Sequence, residues 1–434
     1  MKILHVGSTD SAGGASRASY RLHKGLEESG VDSKMLVRRK SSNDPKVSVS
    51  GDFSVFQNIL EKLTPPIERT LRRWSGNPTG SMWTFGIIPS RLAAIINATD
   101  ADLVHLHWAG NGFLPVKTLS QIRKPLVWTL HDLWPILGVG HYDDAVPELN
   151  PGWLSVDWES RVRSLKKKYW GNLGITAVGP SPWVIGQLSK MNNRPGWAPA
   201  VIPYGLDTSI FEPRTDLRLR EELGISQDRA VLIFGALGAT SDSRKGGDLL
   251  EGVLEELAHR NFEGDIIVFG DQDSAKIRSY GFRLIRLGSV CDDTRLAEIY
   301  SVGDVFLFPS REETFGQTAS EALACGTPVV GFRAAGQASV FRHKEHGYQA
   351  TPFSVSDMAN GVEWIISEKR RGRLWQAECR EFASVRYSGE RFETGWAQKT
   401  ARIAKHISHW TIEHLRYNSE RFETGWAQGT AHVA

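Results

Sequence analysis

Two glutamates, Glu313 and Glu321, stand eight residues apart in VFLFPSREETFGQTASEALACGTPVVGF (305–332), where an apolar run ends at Pro309, a polar loop follows and a helix is expected to begin near Gln317. A carboxylate accepts two neighbouring hydroxyls at once, so one glutamate suits a sugar ring and the other a ribose. The free N–H groups around Gly316, Gln317 and Thr318 at the helix start, together with the helix dipole, suit an anion such as a diphosphate. On spacing alone the commoner reading is a helix cap at Glu321 and a solvated loop charge at Glu313. Arg244 and Lys245 lie in a polar loop just before a second amphipathic stretch (231–257). Cations at a helix start oppose the dipole, so an anionic ligand would account for them, with two solvated charges as the ordinary alternative. His131 directly follows an apolar run, where an imidazole either bonds a sugar hydroxyl or steadies developing charge, or serves structure alone.

These groups need a scaffold that brings loops together. Short runs rich in Val, Ile and Leu alternate with helix-length amphipathic stretches, the pattern of a parallel sheet covered on both faces. The first half predicts strands at Lys2 to Val6, Lys34 to Val37, Leu103 to Leu106, Leu126 to Thr129 and Thr176 to Val178. The second predicts strands at Val231 to Gly235, Asp265 to Phe269, Leu284 to Leu287, Val305 to Phe308 and Val329 to Phe332, with helices at Asp248 to Ala258 and Thr318 to Cys325. The expected fold class is α/β, two Rossmann-like doubly wound domains facing across a cleft. The first spans 1–200, a linker covers 201–213 and the second domain spans 214–385. Parallel sheets bind ligands beyond the carboxyl ends of their strands, so the chemistry belongs to the loops named above.

Composition narrows the class. The 434 residues are 41% hydrophobic and 23% charged, enough for two ordinary cores. A net charge of +3, from 52 basic and 49 acidic groups, gives no field that would imply nucleic acid as partner. Three cysteines (Cys291, Cys325 and Cys379) without metal or disulfide spacing fit a reducing compartment. The N-terminus turns polar after six residues and no apolar run approaches membrane-spanning length, so a cytoplasmic protein is expected. Asp271, Gln272 and Asp273 have the spacing of a divalent-cation site, but the Arg244 and Lys245 pair already offers neutralisation of a diphosphate, and no metal is expected. His105, His107, His343 and His346 form no metal pattern and read as structural.

The 305–332 segment resembles the signature of the group 1 (family 4) retaining glycosyltransferases of the B-type fold, with Pro309, Ser310, Glu313, Phe315, Gly316, Glu321, Ala322, Gly326, Pro328 and Val329 in register. HVGSTDSAGGASRASYRLHKGLEESG (5–30) is similar to that family's first strand, glycine loop and helix, and KPLVWTLHDLWPILGVGHY (124–142) resembles its exopolysaccharide (colanic-acid-type) branch. The resemblance implies transfer of a sugar from a nucleotide-diphosphate sugar to a glycan or lipid-linked acceptor, with retained configuration, no metal and no cofactor beyond the donor. It implies catalytic roles for Glu313 and His131, both beside the donor sugar. It implies donor binding by Gly14, Arg244, Lys245, Phe315, Gly316, Gln317, Thr318 and Glu321, the last on the ribose. The usual arginine just after the strand is replaced by Ala236, with Arg244 as the substitute. An epimerase or phosphorylase of like architecture, or a non-catalytic nucleotide-sugar-binding protein, are the alternatives.

Two features lie outside that frame. WESRVRSLKKKYWGNLG (158–174) interleaves cations with aromatics, as a contact with an anionic membrane through 158–170 would, or as a solvated basic helix would; KLTPPIERTLRRW (62–74) is similar but broken by prolines. RYSGERFETGWAQKTA (386–401) recurs as RYNSERFETGWAQGTA (416–431), which reads as a duplicated tail following a helix, about 390–415, expected to return to the first domain.

Overall fold

A computed structural model describes residues 1–75, 82–142, 157–190, 194–214, 218–238, 242–270 and 277–388. The first domain contains β1 (Lys2–Thr9), α1 (Gly14–Glu28), β2 (Asp32–Arg39), β3 (Val47–Val49), α2 (Val55–Trp74), α3 (Leu92–Ala98), β4 (Leu103–Leu106) and α4 (Val116–Leu119). It continues through β5 (Leu126–Thr129), α5 (Trp158–Trp170), β6 (Ile175–Gly179), α6 (Pro182–Lys190) and β7 (Trp197–Val201). The second domain opens with α7 (Arg218–Glu222), β8 (Ala230–Gly235), α8 (Gly247–His259), β9 (Gly264–Phe269), β10 (Arg283–Gly288) and α9 (Asp293–Ser301). It is completed by β11 (Val305–Phe308), α10 (Gln317–Ala324), β12 (Val329–Phe332), β13 (Gly347–Ala350), α11 (Val355–Arg370) and α12 (Trp375–Tyr387).

The first sheet runs in the order β3-β2-β1-β4-β5-β6-β7 and the second β10-β9-β8-β11-β12-β13. All their neighbouring strands pair in parallel, from β1 on β2 and β4 to β12 on β13. The α/β expectation therefore holds, with two doubly wound sheets. In each sheet the strand order reverses beside the first strand, opening a crevice at the carboxyl ends of β1 and β4 and of β8 and β11. The central strands are buried along their length, which is why they stand out in the sequence as mostly apolar runs, interrupted by His105 in β4 and Asp265 in β9. β3, β7 and β13 went unforeseen: they are short, partly exposed edge or near-edge strands, and β7 contains Pro199.

Two glycines bring the loops of the second domain close together. Gly246, with φ +69°, sits so close to β11 that a Cβ would lie 2.1 Å from the Pro309 carbonyl oxygen. Gly316, with φ +118°, caps α10 where a Cβ would meet the Phe308 ring at 2.7 Å. Only glycine combines that backbone with that space.

Two stretches differ from expectation. In α5, Lys166 is buried and its Nζ donates to the carbonyls of Leu137 (2.9 Å) and Gly138 (2.6 Å) as well as Trp134, while Trp170 is buried among Trp128 and Trp134. Glu159 accepts from the amides of Gly138 (2.6 Å) and Val139 (2.8 Å). The stretch 158–170 thus braces the loop after β5 through its central cation and its last tryptophan, which point inward, while Arg161, Lys167 and Lys168 stay exposed on the opposite side. Conversely, α2 runs unbroken through Pro65 and Pro66. The Asp271, Gln272, Asp273 motif, the helix expected at about 390–415 and the second repeat lie outside the described residues.

Candidate active site

The two sheets face a cavity of about 740 Å³ lined by residues of both domains, among them Gly14, His131, Arg244, Lys245, Glu313, Gly316, Gln317, Thr318 and Glu321. Phe315 is the exception among the expected donor-binding residues. It is buried behind the wall, edge-on to Tyr204 and Tyr387 at 5.2 and 5.7 Å between ring centres, and is corrected to a packing residue.

Glu313 sits in the loop after β11, where Gly336 N donates to its carbonyl at 2.8 Å and Gln337 Oε1 accepts from its N–H at 2.9 Å. Its Oε1 accepts from Lys245 Nζ at 2.6 Å and from Ser310 Oγ at 3.3 Å. Burial pushes the carboxyl pKa up, but the Lys245 and Arg244 cations outweigh that and hold it below its ordinary value. Arg244 lies with its guanidinium 3.4 Å from the centre of the Tyr142 ring and pairs with Asp242. A charged carboxylate and two cations thus meet where α10 presents its free N–H groups, an arrangement that can hold a diphosphate and a polar sugar side by side.

Glu321 is already engaged. Its Oε1 accepts from Arg21 Nη1 at 2.8 Å and its Oε2 from the Tyr300 hydroxyl at 3.0 Å. Arg21 and Arg17, both on α1, also pair with Asp293 at the start of α9. Gln317 Nε2 donates to Gly14 O at 2.8 Å and Thr314 Oγ1 donates to His131 O at 3.0 Å, two more bonds across the cleft.

The β1 and β4 register sets His5 opposite His105, and His107 follows two residues on along the same face. His5 Nδ1 is 2.9 Å from His107 Nε2, His107 Nδ1 is 3.0 Å from His131 Nε2, and His131 Nδ1 is 2.7 Å from the Tyr204 hydroxyl. A neutral imidazole has one donor and one acceptor, so the three rings are ordered in a single direction. Burial lowers the pKa of His131 to about 4 and of His105 to about 3, and takes His5 and His107 well below their ordinary value. His131 is therefore neutral, and a sugar hydroxyl can reach its Nδ1 only by replacing Tyr204. The nitrogens of His5, His105 and His107 lie within 4.8 Å of one another, and two of these rings are already joined in the chain that leads to His131. Asp132 is fixed by Trp108 Nε1 (2.7 Å) and His141 Nδ1 (2.5 Å) and lines the cavity.

Sequence reasoning missed Tyr204, Arg21, Tyr300 and Gln337. The one available signal was the His-x-His spacing at the end of β4, which places His105 and His107 on one face beside β5, whose last residue, Thr129, stands two before His131.

A two-domain α/β protein with an anion-binding cleft between parallel sheets is the architecture of nucleotide-dependent transferases. Comparison with known proteins narrows it: residues 12–210 match the family model Glycosyltransferase Family 4 and residues 229–368 match Glycosyl transferases group 1. The chain is a group 1 glycosyltransferase. A D-inositol 3-phosphate glycosyltransferase of Thermomonospora curvata is 25% identical over 383 residues, 84% of each chain. A sulfoquinovosyl transferase of Arabidopsis thaliana is 29% identical over 321 residues, 72% of this chain and 58% of that one. Among solved structures, a sucrose-phosphate synthase from Thermosynechococcus elongatus superposes with TM-score 0.68 at 19% identity, over 94% of this chain and 100% of the other. HepE of Anabaena, in complex with UDP and glucose, gives TM-score 0.64 at 18% identity, over 92% and 99%.

Proposed function

We propose that the protein transfers a sugar from a nucleotide-diphosphate sugar to a glycan or lipid-linked saccharide in polysaccharide assembly of the exopolysaccharide type, retaining the anomeric configuration and using no metal. The Lys245 to Glu313 ion pair at the start of α10 is the observation that carries this reading. Lys245, Arg244 and the α10 N–H groups stabilise the departing diphosphate, which takes the electron pair of the broken C1–O bond. Glu313 holds the donor sugar and balances its cationic character, and the acceptor hydroxyl attacks from the face the diphosphate leaves, giving its proton to the departing phosphate oxygen. Glu321 takes the ribose hydroxyls. The UDP and UDP-glucose complexes of HepE favour a nucleotide-sugar donor for this chain too. The first domain supplies the acceptor side and the second, from the linker onward, the donor side.

The test is release of nucleoside diphosphate from a panel of nucleotide sugars, with and without a saccharide acceptor and with excess EDTA, followed by NMR of the product's anomeric proton. Acceptor-stimulated release that survives EDTA and yields the donor's own anomer is expected. Inversion, or loss of activity to EDTA with rescue by manganese, would overturn the mechanism while leaving the transferase.

A further inference from the structure

We propose that α2 is an interfacial helix that seats the first domain on an anionic lipid surface. This deepens the reading of a lipid-linked acceptor and rests on it only for its purpose, since lipid binding is measurable without transfer.

The helix is turned inside out relative to an ordinary surface helix, which buries an apolar stripe and exposes a polar one. Gln57, Glu61, Thr64 and Glu68 form the buried face of α2. Their polar atoms are satisfied inside the domain. Gln57 Nε2 donates to Glu61 Oε1 at 2.8 Å, and Ser50 Oγ donates to the same oxygen. Gln57 Oε1 accepts from Arg91 N at 2.7 Å, and the Glu68 carboxylate accepts from Phe85 N at 2.8 Å and Gly86 N at 3.0 Å. The helix is therefore locked to the body by hydrogen bonds, and its orientation is specified.

The opposite face carries large apolar side chains. Val55, Ile59, Leu63 and Ile67, in steps of four residues, are 81, 50, 52 and 42% exposed, and Phe56 and Trp74 are 52 and 65% exposed. Residues four apart share a helix face, so these form one continuous apolar stripe.

Charge selects the occupant. Both carboxylates of α2, Glu61 and Glu68, point inward, while its cations Lys62, Arg69 and Arg73 are exposed and Arg72 is half-buried, and among the described residues none of the four forms an ion pair with a carboxylate. An apolar stripe on a helix whose exposed charges are all cationic matches lipid headgroups of negative charge above acyl chains. A second copy packed on the same face would set these cations against their own mates. No helix of the described residues is long and apolar enough to cross a membrane, so the contact is with the surface.

The stripe also leads toward the chemistry. Met82, three residues before the Phe85 and Gly86 amides that Glu68 holds, is 40% exposed and lies on the cavity wall with Trp108 and Asp132. A saccharide carried on a lipid under α2 has its head beside the acceptor side of the cleft.

The experiment is flotation of the full chain with vesicles of phosphatidylcholine alone and of phosphatidylcholine mixed with phosphatidylglycerol, beside donor hydrolysis in detergent-free buffer. The wild type should float with the mixed vesicles only. Leu63→Glu should lower that binding by at least about tenfold, and Lys62→Gln with Arg69→Gln and Arg73→Gln should lower it and remove its salt dependence, with melting temperature and hydrolysis unchanged. A wild type that hydrolyses donor but does not float overturns the proposal, whether the face then proves to join two copies in light scattering or to be covered by the chain's own remaining residues. Flotation without hydrolysis would sustain the α2 proposal and sink the proposed function instead. Equal binding to neutral vesicles, or wild-type binding by Leu63→Glu, also overturns it.

Discussion

Arg21 of α1 donates from Nη1 to Glu321 Oε1 at 2.8 Å, so the carboxylate assigned to the donor ribose is held by the opposite domain. A ribose must displace this guanidinium or share the carboxylate with it. An intramolecular competitor reduces apparent affinity by the fraction of molecules whose site is open. Arg21→Ala should therefore tighten nucleoside diphosphate binding by roughly three- to tenfold. Isothermal titration of the two proteins decides it, and weaker binding in Arg21→Ala would mean that the arginine contacts the nucleotide itself.

The division of labour between the two glutamates separates binding from turnover. Glu313→Gln keeps the shape but removes the charge beside Lys245, and turnover should fall at least about a hundredfold with nucleotide affinity nearly unchanged. Glu321→Ala should instead weaken nucleotide binding. Steady-state kinetics with direct binding measurements check both, and near-normal turnover in Glu313→Gln would remove its catalytic role.

Lys245 holds the Glu313 carboxylate at 2.6 Å. Its assigned ligand is phosphate, not base or ribose. Lys245→Ala should weaken nucleoside diphosphate binding by about tenfold or more while leaving nucleoside binding within about twofold. Equal losses for the two ligands would place the lysine in a structural role.

The buried imidazoles make acid stability a readout of the site. His131 has a folded pKa of about 4, below the ordinary histidine value near 6.5, so the unfolded state binds the proton first as pH falls. Its contribution is intact above about pH 6.5 and is lost progressively down to about pH 4, a change of roughly 3 kcal/mol, with His5, His105 and His107 shifting the same way. Melting temperature should fall steeply across that window. His107→Asn, whose amide can reach His131 from the Nδ1 position, should keep most turnover, while His107→Leu should lose it and change the His131 ring-nitrogen shifts in NMR spectra. Unaltered shifts in His107→Leu would show that the chain of rings does not orient His131.

Much of this protein is written locally in its sequence. A strand buried on both faces is largely apolar, so β4, β5, β11 and β12 appear as Leu103 to Leu106, Leu126 to Thr129, Val305 to Phe308 and Val329 to Phe332 with their observed limits. The loops after β5, β8 and β11 carry His131, Lys245 and Glu313 because a parallel sheet gathers its carboxyl ends at one edge, and all three line the cavity. Only the tertiary structure decided how these groups are paired. Lys245 and Glu313 are 68 residues apart and Arg21 and Glu321 are 300 apart, distances over which no periodicity survives. It also decided which face of each basic, aromatic helix turns inward. Composition made α5 and α2 look alike, and amphipathic patterning assumes that the inward face is the apolar one. In α5 the Lys166 ammonium is held inside by three carbonyls, and in α2 Glu61 and Glu68 are held inside by hydroxyl, amide and backbone donors. Once buried polar groups are satisfied in this way, the orientation of a helix follows from its hydrogen-bond partners, and those are supplied by residues far away in the chain.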